Sequence, residues 1–382
     1  MLRIPPLSLY IHIPWCVRKC PYCDFNSYSA RGGVPEGDYV TVLLSDLDQE
    51  LPEVGERPVE TVFIGGGTPS LFSPEAIDTL LQGIARRVAL APEAEITLEA
   101  NPGAVDAARF RGFRAAGVNR LSIGVQSFDD ALLRTVGRIH SGAEAARAVR
   151  WAWEAGFDNV NLDLMFGLPG QHSLQALADV ECAIGLAPTH ISFYHLTLEP
   201  NTSFYKQPPV LPDEDSVSLA QEACQQALIA AGYWQYEISA YARPGYRCRH
   251  NLNYWRHGDY LGIGAGAHGK ITGVRSGRVI RTVKIRKPES YLSSDPQSAE
   301  FREQQDIAPE DRPLEFLMNQ LRLREGFPES LFPERTGLAI GVLEPQLSVC
   351  VREELLTRED GYIRCTERGW NFLDEILRRF VR

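Results

Sequence analysis

Residues 11–28 read IHIPWCVRKCPYCDFNSY. Cys16, Cys20 and Cys23 stand four and then three residues apart, directly after the strand-like run SLYIHI at 8–13. With 8 cysteines in 382 residues, about 0.004 such triplets are expected by chance. Three thiolates can serve zinc with a fourth ligand from elsewhere, but zinc sites usually show paired cysteines twice over, and no second pair is present. An iron–sulfur cluster dedicated to electron transfer takes four thiolates. Three thiolates on a four-iron cluster leave one iron for a ligand that is not protein. Asp24 and Phe25 follow where another cysteine could have stood.

Working outward, short apolar or alternating runs recur at 8–13, 59–65, 95–100, 120–125, 159–166 and 190–196. Amphipathic stretches separate them, among them SPEAIDTLLQGIARRV and SGAEAARAVRWAWEAG. Ser73 and Pro74 form a helix start, and Gly117 and Gly156 are placed as left-handed helix caps. Six β units alternating with helices predict an α/β fold with a parallel sheet, either open or curved into a partial barrel. After residue 200 the rhythm breaks at a Pro-rich polar loop, EPNTSFYKQPPVLPDEDS. The segment 201–285 reads as a small α+β extension. The segment 286–382 is mostly helical and ends in a strand pair and a helix, the order of a winged-helix module.

The unusual residues fall at the C-terminal ends of the six runs, where functional sites of parallel α/β barrels gather. The cysteine loop follows the first run and GGGTP (65–69) the second. Glu99 ends the third, Gln126 the fourth, Asp163 lies in the fifth and His195 ends the sixth. One such placement is unremarkable; six on one rim predict a site.

Composition sets limits. Hydrophobic residues make up 44% and charged residues 23%, a globular balance. The absence of a long apolar run predicts a cytoplasmic chain without a membrane span. The net charge of −10 argues against a nucleic-acid partner, whose phosphates need a basic face. The stretch VRSGRVIRTVKIRK (274–287) is a local exception, carrying Arg275, Arg278, Arg281, Lys284, Arg286 and Lys287 without an acid. It reads either as a solvated strand face or as a face for an anionic ligand or partner. Cys182, Cys224, Cys350 and Cys365 are expected as buried thiols.

The motif CVRKCPYC after a strand resembles the signature of radical S-adenosylmethionine (SAM) proteins. YIHIPWCVRKCPYCDF, IGGGTPS, EANP, GVQSF, GRIH and DLMFGLPGQ, in that order, are similar to the coproporphyrinogen III dehydrogenase-like (HemN-like) subfamily. The resemblance implies a partial (β/α)6 TIM-type barrel over 1–200, the extension over 201–285 and a winged-helix-like domain over 286–382. It also implies a 4Fe–4S cluster on Cys16, Cys20 and Cys23, with SAM on the free iron. In that reading Tyr10 contacts SAM beside the cluster, and Gly66, Gly67 and Thr68 approach its methionyl group. Glu99 accepts from its amine or ribose, Gln126 adds amide contacts, Arg138 pairs with its carboxylate and Asp163 takes the ribose hydroxyls. Tyr10 and His12 also read as hydrogen-bonded core residues.

Two departures separate this chain from the dehydrogenase itself. That enzyme has a further cysteine where Phe25 stands, and a longer N-terminal extension. HNLNYW (250–255) resembles the HNxxYW motif of the heme-trafficking HemW branch. The branch implies heme as a third cofactor, with His250 as an axial ligand and Tyr254 and Trp255 packing on the macrocycle. It implies a heme chaperone serving heme-accepting respiratory or membrane proteins, compatible with peripheral membrane association and a homodimer. The alternatives are an oxygen-independent coproporphyrinogen III dehydrogenase and, against the acidic balance, an RNA-modifying radical SAM enzyme.

Overall fold

The computed structural model describes residues 2–30 and 32–381. Six parallel strands, Leu7–Ile13, Val59–Gly66, Leu90–Ala100, Arg120–Gln126, Val160–Phe166 and His190–His195, pair in chain order, as the sequence predicts. The sheet does not stop there. At one edge Ala240–Ala242 and Trp234–Glu237 add antiparallel strands to the sixth. At the other, Asp259–Ile263 pairs in parallel with the first strand, and His268–Gly273, Arg278–Lys284 and Arg302–Asp306 follow antiparallel. The result is one sheet of twelve strands. The segment expected as a barrel extension supplies strands that continue the barrel sheet, and the last strand of that sheet ends at Asp306.

Period-two alternation divides the strands into two faces. Leu9, Ile11, Val62, Ile64, Leu121, Ile123, Leu162 and Leu164 join one buried apolar cluster with Leu43, Leu80 and Val149 of the covering helices. The opposite positions are polar: Ser8, Thr61, Glu95, Arg120, Ser122, Asn161 and His190 are all buried. A polar interior must be hydrogen-bonded, and a short helix, Arg249–Trp255, enters it. Glu95 of the third strand accepts from the backbone N–H groups of Arg249 (3.1 Å) and His250 (3.0 Å). Asn253 donates to Ser8 Oγ at 2.8 Å. The HNLNYW segment thus plugs the inside of the barrel.

Helix ends follow the sequence reading. Ser73 Oγ accepts from the Ala76 N–H at 3.2 Å, with Pro74 at the first helical position. Gly117 and Gly156 have φ of +105° and +84°. Residues 316–376 form a second apolar core around Phe316, Phe327, Leu347 and Ile363. Its three-stranded sheet runs Phe327–Pro328, Tyr362–Cys365, Leu356–Glu359. Helices Arg312–Gln320 and Gln346–Arg352 pack there, in the expected winged-helix-like order. Cys182 corrects the sequence reading: it is exposed, because it lies on the solvent side of helix Ser173–Gly185. Among the described residues no helix is long and apolar enough to cross a membrane.

The appended strands are pinned to helix Glu36–Val54 by a buried charge network. Lys284, expected on a solvated face, is instead buried and paired with Asp46 and Glu50. Arg302 also reaches Glu50 (2.9 Å), and Tyr291 donates to Asp46 (2.6 Å). Two cations thus balance two carboxylates. Removing one partner of such a network leaves an uncompensated buried charge. Lys284→Met is expected to destabilise the chain by about 3–5 kcal/mol, read as a lowered midpoint in chemical unfolding; an unchanged midpoint would show that the network is energetically neutral.

Candidate functional site

A loop of the first strand's C-terminal end carries the three cysteines. A two-stranded parallel ladder closes it, pairing Trp15 with Tyr28 and Cys16 with Ser29. Within the loop the Cys23 N–H donates to the Cys20 carbonyl at 3.2 Å. All three thiols are partly exposed and free. They line one end of a cavity of about 430 Å³. Burial pushes the Cys16 and Cys23 thiols up from their ordinary pKa. The Arg138 guanidinium lies 3.9 Å from Cys20 Sγ.

The other strand ends line the same cavity. Gly66, Gly67 and Thr68 lie beside Cys16, and Glu99, Gln126, Arg138 and Asp163 form the remaining wall. The glycines have a reason that the sequence reading did not supply. A Cβ on Gly67 would fall 2.5 Å from the Trp15 carbonyl, and one on Gly66, at φ +113°, 2.6 Å from the His12 ring. Chain packing alone therefore demands glycine there. Gln126 holds φ +70°, a region that side chains occupy only when their surroundings fix them. Tyr194, unnoticed in the sequence, donates to its Oε1 at 2.8 Å.

Glu99 and Asp163 are two of the carboxylates that line the cavity. Glu99 accepts from the Gly66 N–H at 3.0 Å; burial, then the neighbouring Asp163, raises its pKa to about 8. Asp163 accepts from Asn161 (2.8 Å) and Ser122 (3.1 Å), and burial raises its pKa as well. Opposite them, Arg138 Nη2 donates to the Gly124 carbonyl, while its buried Nε has no partner among the described residues. Acids on one wall, a cation with an unused donor on another and thiols at the mouth fit a zwitterionic, hydroxyl-bearing ligand such as SAM beside a cluster.

Tyr10 is not brought to this cavity. It lines a second one, of about 460 Å³, with His12, Phe25, Tyr254 and Trp255. Its hydroxyl donates to His12 Nδ1 (3.0 Å), because His12 Nε2 is spent on the Asn26 carbonyl (2.8 Å). The core reading of Tyr10 and His12 thus describes their contacts. Asp24, Phe25 and Trp255 line both cavities and form the partition between them.

His250 is also placed otherwise than expected. It is 1% exposed. Its Nδ1 lies 2.7 Å from Thr61 Oγ1 and its Nε2 2.9 Å from the Tyr254 hydroxyl. Burial lowers its pKa to about 3. No ring nitrogen is free to take an axial position on iron while the plug is in place. Tyr254 and Trp255 do reach a cavity. Arg322 covers the Trp255 ring at 4.0 Å and bridges to Glu237 at 2.8 Å. No local sequence signal marks Arg322; the chain topology brings it there.

Glu99 yields a pH prediction. A carboxyl whose folded pKa exceeds its unfolded value contributes stability that is fully present below the unfolded pKa and lost as pH rises through the folded one. Glu99 is therefore expected to withdraw stability between pH 4.5 and about 8, so that Glu99→Gln gains on the parent chain as pH rises through that window. Unfolding midpoints across the window check this; parallel slopes for both chains would contradict it.

Comparison with known proteins agrees with the geometry. Residues 10–176 match the family profile of the Radical SAM superfamily, and residues 307–372 that of the HemN C-terminal domain. The chain is 52% identical over 381 residues to the heme chaperone HemW of Escherichia coli (strain K12), covering 100% of each. It is 34% identical to the heme chaperone HemW of Bacillus subtilis (strain 168), covering 98% of this chain and 99% of that one. The fold matches a solved structure of coproporphyrinogen III oxidase (HemN) from Escherichia coli with a TM-score of 0.83 at 23% identity, over 99% of this chain and 90% of that one. The chain thus belongs to the radical SAM superfamily and, within it, to the family of the heme chaperone HemW.

Proposed function

We propose that this chain is a heme chaperone: it binds heme and passes it to heme-accepting proteins, and it holds a 4Fe–4S cluster and SAM in the cysteine-lined cavity. The observation that carries the reading is the composition of the cavity mouth. Three thiols line it, and the chain offers Phe25, 57% exposed, rather than a further thiol in the same lining. Full-length likeness to curated heme chaperones supports the same reading.

In this reading Cys16, Cys20 and Cys23 would hold the cluster and leave one iron to SAM. A cluster so held would supply single electrons to the SAM sulfonium. The protein's own part is to bind and orient. Glu99, whose pKa burial and Asp163 raise in the ligand-free chain, would face the SAM ammonium, and Asp163 would accept from its ribose hydroxyls. Arg138 is positioned to turn its unused Nε towards the SAM carboxylate.

Anaerobically reconstituted protein loaded with heme is expected to transfer it to a heme-free acceptor protein, followed by the acceptor's absorbance. The same protein supplied with coproporphyrinogen III, SAM and reductant is expected to form no vinyl product. Steady product formation, with no heme transfer, would replace the chaperone reading with the dehydrogenase one.

A further inference from the structure

The second cavity has a chemistry that neither the cluster nor SAM uses. One wall is aromatic, built from Tyr254, Trp255, Tyr260 and Phe25. Tyr254 and Tyr260 meet edge to face at 4.5 Å, and the buried Trp255 Nε1 has no partner among the described residues. The facing wall is basic, in a chain whose net charge is −10. It is the hairpin His268–Gly273 and Arg278–Lys284, whose register sets Lys270 opposite Arg281. His268, Lys270, Arg281 and Arg286 line the cavity against one carboxylate, Asp24.

These four basic side chains are not equally committed. Lys270 is held by Asp259 at 3.3 Å, and Arg281 by Glu315 at 2.6 Å and by the Tyr260 hydroxyl at 3.3 Å. Arg286 is exposed and has no ion pair among the described residues. Its backbone is nonetheless fixed: the Arg286 carbonyl accepts from Asn26 Nδ2 (2.7 Å) and from Tyr28 (3.3 Å). His268 is exposed on the cavity wall, and its ring makes no hydrogen bond among the described residues. Partial desolvation by the cavity wall, then Arg281 and Arg286, hold its pKa down, so the imidazole is neutral and its nitrogens are available as ligands.

We infer that this second cavity is the heme site, with His268 as the axial ligand to iron, Arg286 and Arg281 facing the propionates and the Tyr254–Trp255 wall packing on the macrocycle. The inference rests on the chaperone reading and deepens it. A planar, apolar dianion carrying iron needs four things together: an aromatic face, cations at the rim, a free imidazole and a volume in the range of ligand pockets. The cavity combines them, and HNLNYW takes part through Tyr254 and Trp255, while His250 stays in the plug.

The test is a titration of cluster-reconstituted full-length protein with hemin and, separately, with iron-free protoporphyrin IX. His268→Ala and Arg286→Glu alter exposed side chains, so both variants are expected to fold. His268→Ala is expected to shift the Soret band and weaken hemin binding about tenfold or more while leaving protoporphyrin binding unchanged. Arg286→Glu is expected to weaken both ligands about tenfold. Hemin binding by both variants with wild-type affinity and spectrum would overturn the assignment and leave the chaperone reading standing. A wild-type protein that binds no hemin would overturn both.

Discussion

The carboxylate of Glu95 governs the interior of this molecule. It sits on the inner face of the third strand, 5% exposed, and accepts from two N–H groups at the start of helix Arg249–Trp255. A negative charge at a helix N-terminus satisfies donors that have no partner within the helix. Here it also ties a segment far along the chain into the barrel. Ser8, Thr61 and Asn253 then close the polar interior, and Tyr254 and Trp255 are carried to the cavity wall. Without the plug Glu95 would lose the two N–H groups it accepts from, and Ser8 and Thr61 their partners Asn253 and His250.

The cysteine loop belongs to both cavities. Its thiols face the first, and its last residues reach the second. Asn26 binds the Ala265 and Arg286 carbonyls through its side chain and His12 through its own carbonyl. Phe25 stands between the cavities. The sequence distinguished Phe25 only as the residue found in place of a thiol. The structure gives it a position: an apolar partition between a metal-binding loop and an aromatic, basic pocket. A further cysteine there would take a wall from the second cavity.

The parallel barrel was legible because its strands are short, regularly spaced and followed by strong helix signals such as Ser73-Pro74 and Gly156. The rim residues were legible because polar groups at strand ends are costly unless they are used. Three things were not. The extent of the sheet was hidden because strands such as Arg302–Asp306 are solvent-facing and carry no apolar alternation. His250 looked like a ligand because a motif does not reveal which nitrogens its neighbours occupy; Thr61 lies 189 residues away. The second cavity was half visible as the basic run 274–287. Which of its cations are spent, as Lys284 is on Asp46 and Glu50, depends on pairings that only the fold creates.

The central claim is spatial: two iron-bearing groups occupy two cavities divided by Phe25 and Trp255. Anomalous diffraction at the iron edge, from crystals holding both cluster and heme, measures this directly. The account predicts one iron density at Cys16, Cys20 and Cys23 and a separate one beside His268. Heme iron found at His250, or within the cysteine-lined cavity, would contradict it.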